Sequence, residues 1–171
     1  MTGTNLPLRT TQSRWIRFVT LFLFWVGGRS VLSVVLFLID PNFQNAYNAG
    51  PGPVLVIIEA LFAFLAFGAG VAIYARYRHA LMMATAALAL YTGLNVVSIL
   101  QASSNLPAAR AAYQASREAR GVSLSEERLD VMFSANAIPV LWLTAVLLCV
   151  PPFAILLWRQ DELQPVADED E

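Results

Sequence analysis

An all-α bundle of four membrane-spanning helices, with a helical extramembrane hairpin between spans three and four, is predicted by three observations. Four apolar windows, 18–39, 53–75, 80–100 and 137–158, each hold 21 to 23 residues, and about 20 residues cross a hydrocarbon core of roughly 30 Å. Hydrophobic residues make up 57% of the 171 positions and charged residues 13%, which leaves too little polar surface for a water-soluble helical bundle. Finally, Arg29 and Glu59 interrupt two different windows. A charge in hydrocarbon costs at least roughly 2.5–3.5 kcal/mol by insertion scales, so each should face the bundle interior and find a partner there.

Span one follows Arg9, Arg14 and Arg17. This start resembles the charged region of a signal peptide, but the apolar stretch behind it exceeds the usual 7–15 residues and carries Arg29 without a small-residue cleavage site at its end. A retained helix is expected. The 40–52 connection, with Asp40, Pro41 and Asn42 and the run Asn48 to Pro53, is dense in turn formers and reads as a cap. In span two, Ala63, Ala66 and Gly70 follow Glu59 at offsets of four, seven and eleven, a small-residue stripe on one helical face that permits close helix contact.

Arg76, Tyr77, Arg78 and His79 form a short turn before span three. His79 is the single histidine, and an interfacial headgroup contact accounts for it. Span three places Tyr91, Thr92, Asn95 and Ser98 along one side. In the 101–136 connection, Asn105 is positioned to cap a helix opened near Pro107, Gly121 to stop it, and Ser123 with Glu126 to form a capping box for a second arm running into span four. Span four carries Pro139, Trp142 and the Pro151–Pro152 pair, which removes two backbone donors and predicts a kink. Trp15 and Trp158 suit an interfacial belt. Residues 1–160 thus form one four-span membrane domain, followed by an acidic tail, 161–171, expected to be disordered.

Arginine close to the membrane sets orientation. The N-terminal segment has three, the 40–52 connection none, the 76–79 turn two, and the C-terminal junction Arg159. Both termini are therefore expected in the cytoplasm, although the 101–136 connection carries Arg110, Arg117, Arg120 and Arg128 beside four acids. In that orientation Arg29 lies ten residues before the outer end of span one and Glu59 six residues into span two. At 1.5 Å per residue these depths are about 15 and 9 Å, close enough for the long arginine side chain to bridge. Asn95 reaches a depth near that of Glu59. The candidate polar site is accordingly Arg29, Ser33, Glu59, Tyr91, Asn95 and Ser98.

Cys149 is the single cysteine, so no intrachain disulfide and no zinc cluster can form. No catalytic, cofactor or metal motif is present. All eleven basic residues are arginine and the net charge is −1, so there is no basic footprint for nucleic acid.

Arg29 in span one, Glu59 near the start of span two, the Arg76–Tyr77–Arg78 turn and Asn95 in span three give a chain that resembles an uncharacterised family of bacterial four-helix inner-membrane proteins, known only as a domain of unknown function. The chain departs from that pattern after span four, where Arg159 and an acidic tail replace a basic segment. The resemblance implies a fold and a location in the bacterial inner membrane, and no activity. The expected partners are membrane lipid and other integral membrane proteins. The first functional expectation is a non-catalytic accessory, scaffold or assembly component, in which a mutually bonded Arg29–Glu59 pair fixes helix register. The alternative is a small transporter or ligand-binding protein that uses the Arg29–Glu59–Asn95 pocket. An enzyme acting on lipid or quinone ranks last, because Glu59 is its sole candidate base.

Overall fold

The computed structural model describes residues 12–39 and 53–163, which form α1 (Arg14–Ile39), α2 (Pro53–Tyr74), α3 (Ala80–Ser104), α4 (Leu106–Glu118), α5 (Glu126–Met132), α6 (Ala137–Trp158) and a closing 3-10 turn (Gln160–Glu162). The 40–52 cap and the end of the acidic tail, 164–171, lie outside the described residues. Helices α1, α2, α3 and α6 are long and apolar enough to cross a membrane.

These four pack in a ring in which α1 adjoins α2, α2 adjoins α3, α3 adjoins α6, and α6 returns to α1. A single core runs through them, with Leu23, Phe62, Leu88 and Leu156 fully buried. Large apolar side chains also cover the outside, among them Leu21, Phe64 and Leu147. A helix with apolar residues all round belongs in lipid rather than water.

The small-residue stripe of α2 meets α1. Ala63, Ala66 and Gly70 are buried. A Cβ added to Gly27 would stand 3.4 Å from the Ala66 Cβ, and one added to Gly70 would stand 2.8 Å from Phe24 Cε1. The backbones approach because side chains are missing on both sides, as in other small-residue membrane contacts.

α1 begins four residues before its apolar window because the Ser13 hydroxyl accepts the Ile16 N–H at 3.3 Å, an N-cap that draws Arg14, Trp15 and Arg17 into the helix. The same end of the bundle is tied across helices. Gln12 Nε2 donates to the Ile73 carbonyl at 2.6 Å, and the Ser13 N–H donates to Glu162 Oε2 at 3.0 Å. Trp15 and Trp158 meet there with ring centroids 6.3 Å apart, both exposed. The start of α1 and the ends of α2 and α6 therefore share one rim.

On that rim the α2–α3 turn closes with a Schellman arrangement. The Tyr77 N–H donates to the Ala72 carbonyl at 2.9 Å and the Arg76 N–H to the Ile73 carbonyl at 3.2 Å, with Arg76 at φ 57°. Glycine is the usual occupant of that left-handed position.

Between α3 and α6 the hairpin forms with two corrections. The Asn105 side chain accepts the Ala108 N–H at 3.1 Å, as its spacing predicts, and Gly121 takes φ 71° beyond the end of α4. The second cap, however, is Ser125, whose hydroxyl accepts the Arg128 N–H, and not Ser123. Extended backbone at Ser125 puts its side chain in reach of the first-turn N–H groups and starts the helix at Glu126. Nor does the second arm run into span four. α5 ends at Met132, and α6 starts at Ala137 after a turn through Ser134. The break lets Phe133 fold back with Ala109, Tyr113 and Leu129 into a small core of the hairpin's own. Arg110 crosses the hairpin to Glu126 and, at 2.7 Å, to Asp130.

Candidate polar site within the bundle

Arg29 lies on α1 one turn before Ser33, Glu59 lies on α2, and Tyr91, Asn95 and Ser98 are spaced by four and three on α3. Helical periodicity puts each set on one face. The ring packing of α1, α2, α3 and α6 turns these faces together around a cavity of about 350 Å³, which all six residues border.

The charged pair is not closed. Among the described residues no direct ion pair joins Arg29 to Glu59, in contrast to the Arg110 contacts in the hairpin. Glu59 is partly buried with the Ser33 hydroxyl facing it as a hydrogen-bond donor, and Arg29, which is exposed, acts on it through its charge across the cavity. The expectation of a mutually bonded pair is corrected to two separated charges on a shared space. The reason lies in the register: Ser33, one turn beyond Arg29, is the group that stands against the carboxylate.

Tyr91 supplies the floor. Its ring stacks on Phe62 with centroids 5.8 Å apart and meets Phe22 edge-on at 5.6 Å. The side chain is 5% exposed, and its hydroxyl has no hydrogen-bond partner among the described residues. Asn95 lies near that hydroxyl but outside hydrogen-bond geometry, because its amide nitrogen donates to the Tyr91 backbone carbonyl at 2.8 Å. Buried polar atoms are nearly always satisfied, by protein, water or a bound molecule.

Two cavity residues with polar side chains were not singled out from the sequence, Ser30 beside Arg29 and Thr144 on α6. Thr144 was the legible one, a hydroxyl in an apolar span beside the small Ala145. Its hydroxyl donates to the Val140 carbonyl at 2.8 Å, leaving its lone pairs toward other donors. Thr92, grouped with Tyr91 from the sequence, does not border the cavity. It donates to the Leu88 carbonyl at 2.8 Å and sits against Cys149 at the α3–α6 contact. The Pro151–Pro152 pair lies inside a continuous α6, with Pro152 buried in the core. No group of histidine, cysteine and carboxylate side chains able to hold a metal occurs among the described residues.

Comparison of the chain with family models, curated proteins and solved structures returns no match.

Proposed function

We propose that this is a multi-pass membrane protein that binds a small polar molecule between its four spanning helices, as a ligand-binding protein or small transporter of the bacterial inner membrane with both termini in the cytoplasm. The observation that carries this reading is the cavity: the opposite charges of Arg29 and Glu59, a carboxamide and hydroxyls from four helices border about 350 Å³ of space, and the two charges do not close on each other. A pair kept only to set helix register would be expected to bond directly, since each unpaired charge adds a desolvation penalty that contact would offset. Separation leaves both groups able to engage a third. The volume falls at the small end of the roughly 300–1,000 Å³ typical of ligand pockets.

The test is a shape-matched neutral pair, Arg29→Met with Glu59→Gln. Removing both charges removes both desolvation penalties, so the double variant should fold with stability at or above that of the unaltered protein. It should also fail to restore the phenotype of cells lacking the gene. A stable variant that complements fully would return the pair to a scaffold role.

A further inference from the structure

We infer that the cavity takes a zwitterion: a primary ammonium held on the Glu59 side and an oxyanion held on the Arg29 side. This deepens the proposed binding role and rests on it. Donors and acceptors divide the cavity lining into two kinds. A backbone carbonyl only accepts, so the Asn95 amide nitrogen must be the atom facing the Tyr91 carbonyl at 2.8 Å, which leaves Asn95 Oδ1 as the side chain's acceptor, beside the Tyr91 hydroxyl. Thr144 has likewise committed its proton to the Val140 carbonyl and offers lone pairs. With the Glu59 carboxylate, three acceptors on α2, α3 and α6 border one space. An ammonium presents three N–H donors and a positive charge, the complement of that set.

The donor side is different in kind. The Arg29 guanidinium carries five N–H groups in a fork suited to carboxylate or phosphate. The Tyr91 hydroxyl, buried and without a partner among the described residues, adds an O–H. A simple cation would leave these donors unmet, and a simple anion would face the Glu59 carboxylate. A small molecule bearing both charges satisfies the two sides together. The same chemistry occurs in a free α-amino acid and in a phosphoethanolamine lipid headgroup, and the experiment separates these sources.

Binding to the full-length protein in nanodiscs should be measured by calorimetry with four probes: alanine, O-phosphoethanolamine, ethylamine and acetate. A parallel measurement compares thermal unfolding in phosphatidylcholine and phosphatidylethanolamine discs. In phosphatidylcholine, whose quaternary nitrogen has no N–H, at least one zwitterion should bind about tenfold or more tightly than either singly charged probe, as expected when a charged hydrogen bond is lost with each half. Glu59→Gln should abolish that preference. A soluble ligand would show the same preference in both discs. A lipid headgroup would raise the unfolding temperature in phosphatidylethanolamine and compete the zwitterion away there. Equal binding of zwitterion and singly charged probes, a preference that survives Glu59→Gln, or no binding together with equal unfolding in the two lipids would overturn the inference. Should Glu59→Gln not fold, the probe comparison on the unaltered protein decides alone. Loss of complementation by the neutral pair alongside any of these negative results would place the failure in the ligand class and leave the binding role standing.

Discussion

At the scale of single residues, the missing Cβ atoms give the sharpest contrast. A methyl group at Gly70 would fall 2.8 Å from Phe24 Cε1 and within 3.1 Å of two further atoms of that ring. The Phe24 ring, which meets Phe67 with centroids 5.9 Å apart, must shift to admit it. Gly70→Ala should therefore destabilise the bundle by about 1–3 kcal/mol, the usual range for overpacking. At Gly93 an added Cβ meets nothing within 4 Å, so Gly93→Ala should instead stabilise α3 by about 0.5–1 kcal/mol through backbone entropy alone. Thermal unfolding of both variants in one detergent checks the opposite signs. Arg76 is a third case. Its φ of 57° strains an L side chain by roughly 1–2 kcal/mol, so Arg76→Gly should raise stability by about 1 kcal/mol while removing one of the turn's two arginines. The six candidate site residues were legible at this scale because polar groups in an apolar span are rare. The open state of the Arg29–Glu59 pair was not, since matched depth says how far apart two side chains begin and nothing about which neighbour intervenes.

At the scale of elements, the four spans announced themselves through length, and their bounds differ from the apolar windows where α1 starts early behind the Ser13 cap, α2 stops at Tyr74 and α3 runs on to Ser104. The hairpin was less legible. Ser123 and Ser125 both precede acids, and a choice between them depends on backbone conformation at the cap, which no spacing rule records. The halt of α5 at Met132 depends on Phe133 reaching Tyr113, with centroids 5.7 Å apart, a contact across twenty residues of chain. Because the hairpin has its own core, its stability should be separable from that of the bundle. Leu129→Ala, at a fully buried position, should cost about 2–5 kcal/mol and raise amide exchange through 106–132 while leaving α1 and α2 protected. Arg110→Ala should cost no more than about 1 kcal/mol, since Glu126 and Asp130 are mostly exposed and screened. Comparable exchange in both variants would contradict the packing account of the hairpin.

At the scale of the whole molecule, shared contacts put the start of α1, the ends of α2 and α6, and the α2–α3 turn on one rim, and the proposed orientation, drawn from the arginine pattern, predicts that this rim faces the cytoplasm. A cysteine at His79 should then resist an impermeant thiol reagent in intact cells, whereas one at Gly121 in the hairpin should react, both in a Cys149→Ala background. The reverse pattern would invert the molecule without altering its packing. The central claim, that the four helices enclose a polar space which small hydrophilic molecules enter, is independent of that orientation. It is tested most directly by placing a cysteine at Ser98, which borders the cavity, and another at Leu147 on the apolar exterior, in the same background in proteoliposomes, and measuring their reaction rates with a small charged thiol reagent. The account predicts that the Ser98→Cys protein reacts readily and from one side of the membrane while the Leu147→Cys protein stays inert; equal inertness at both positions would contradict it.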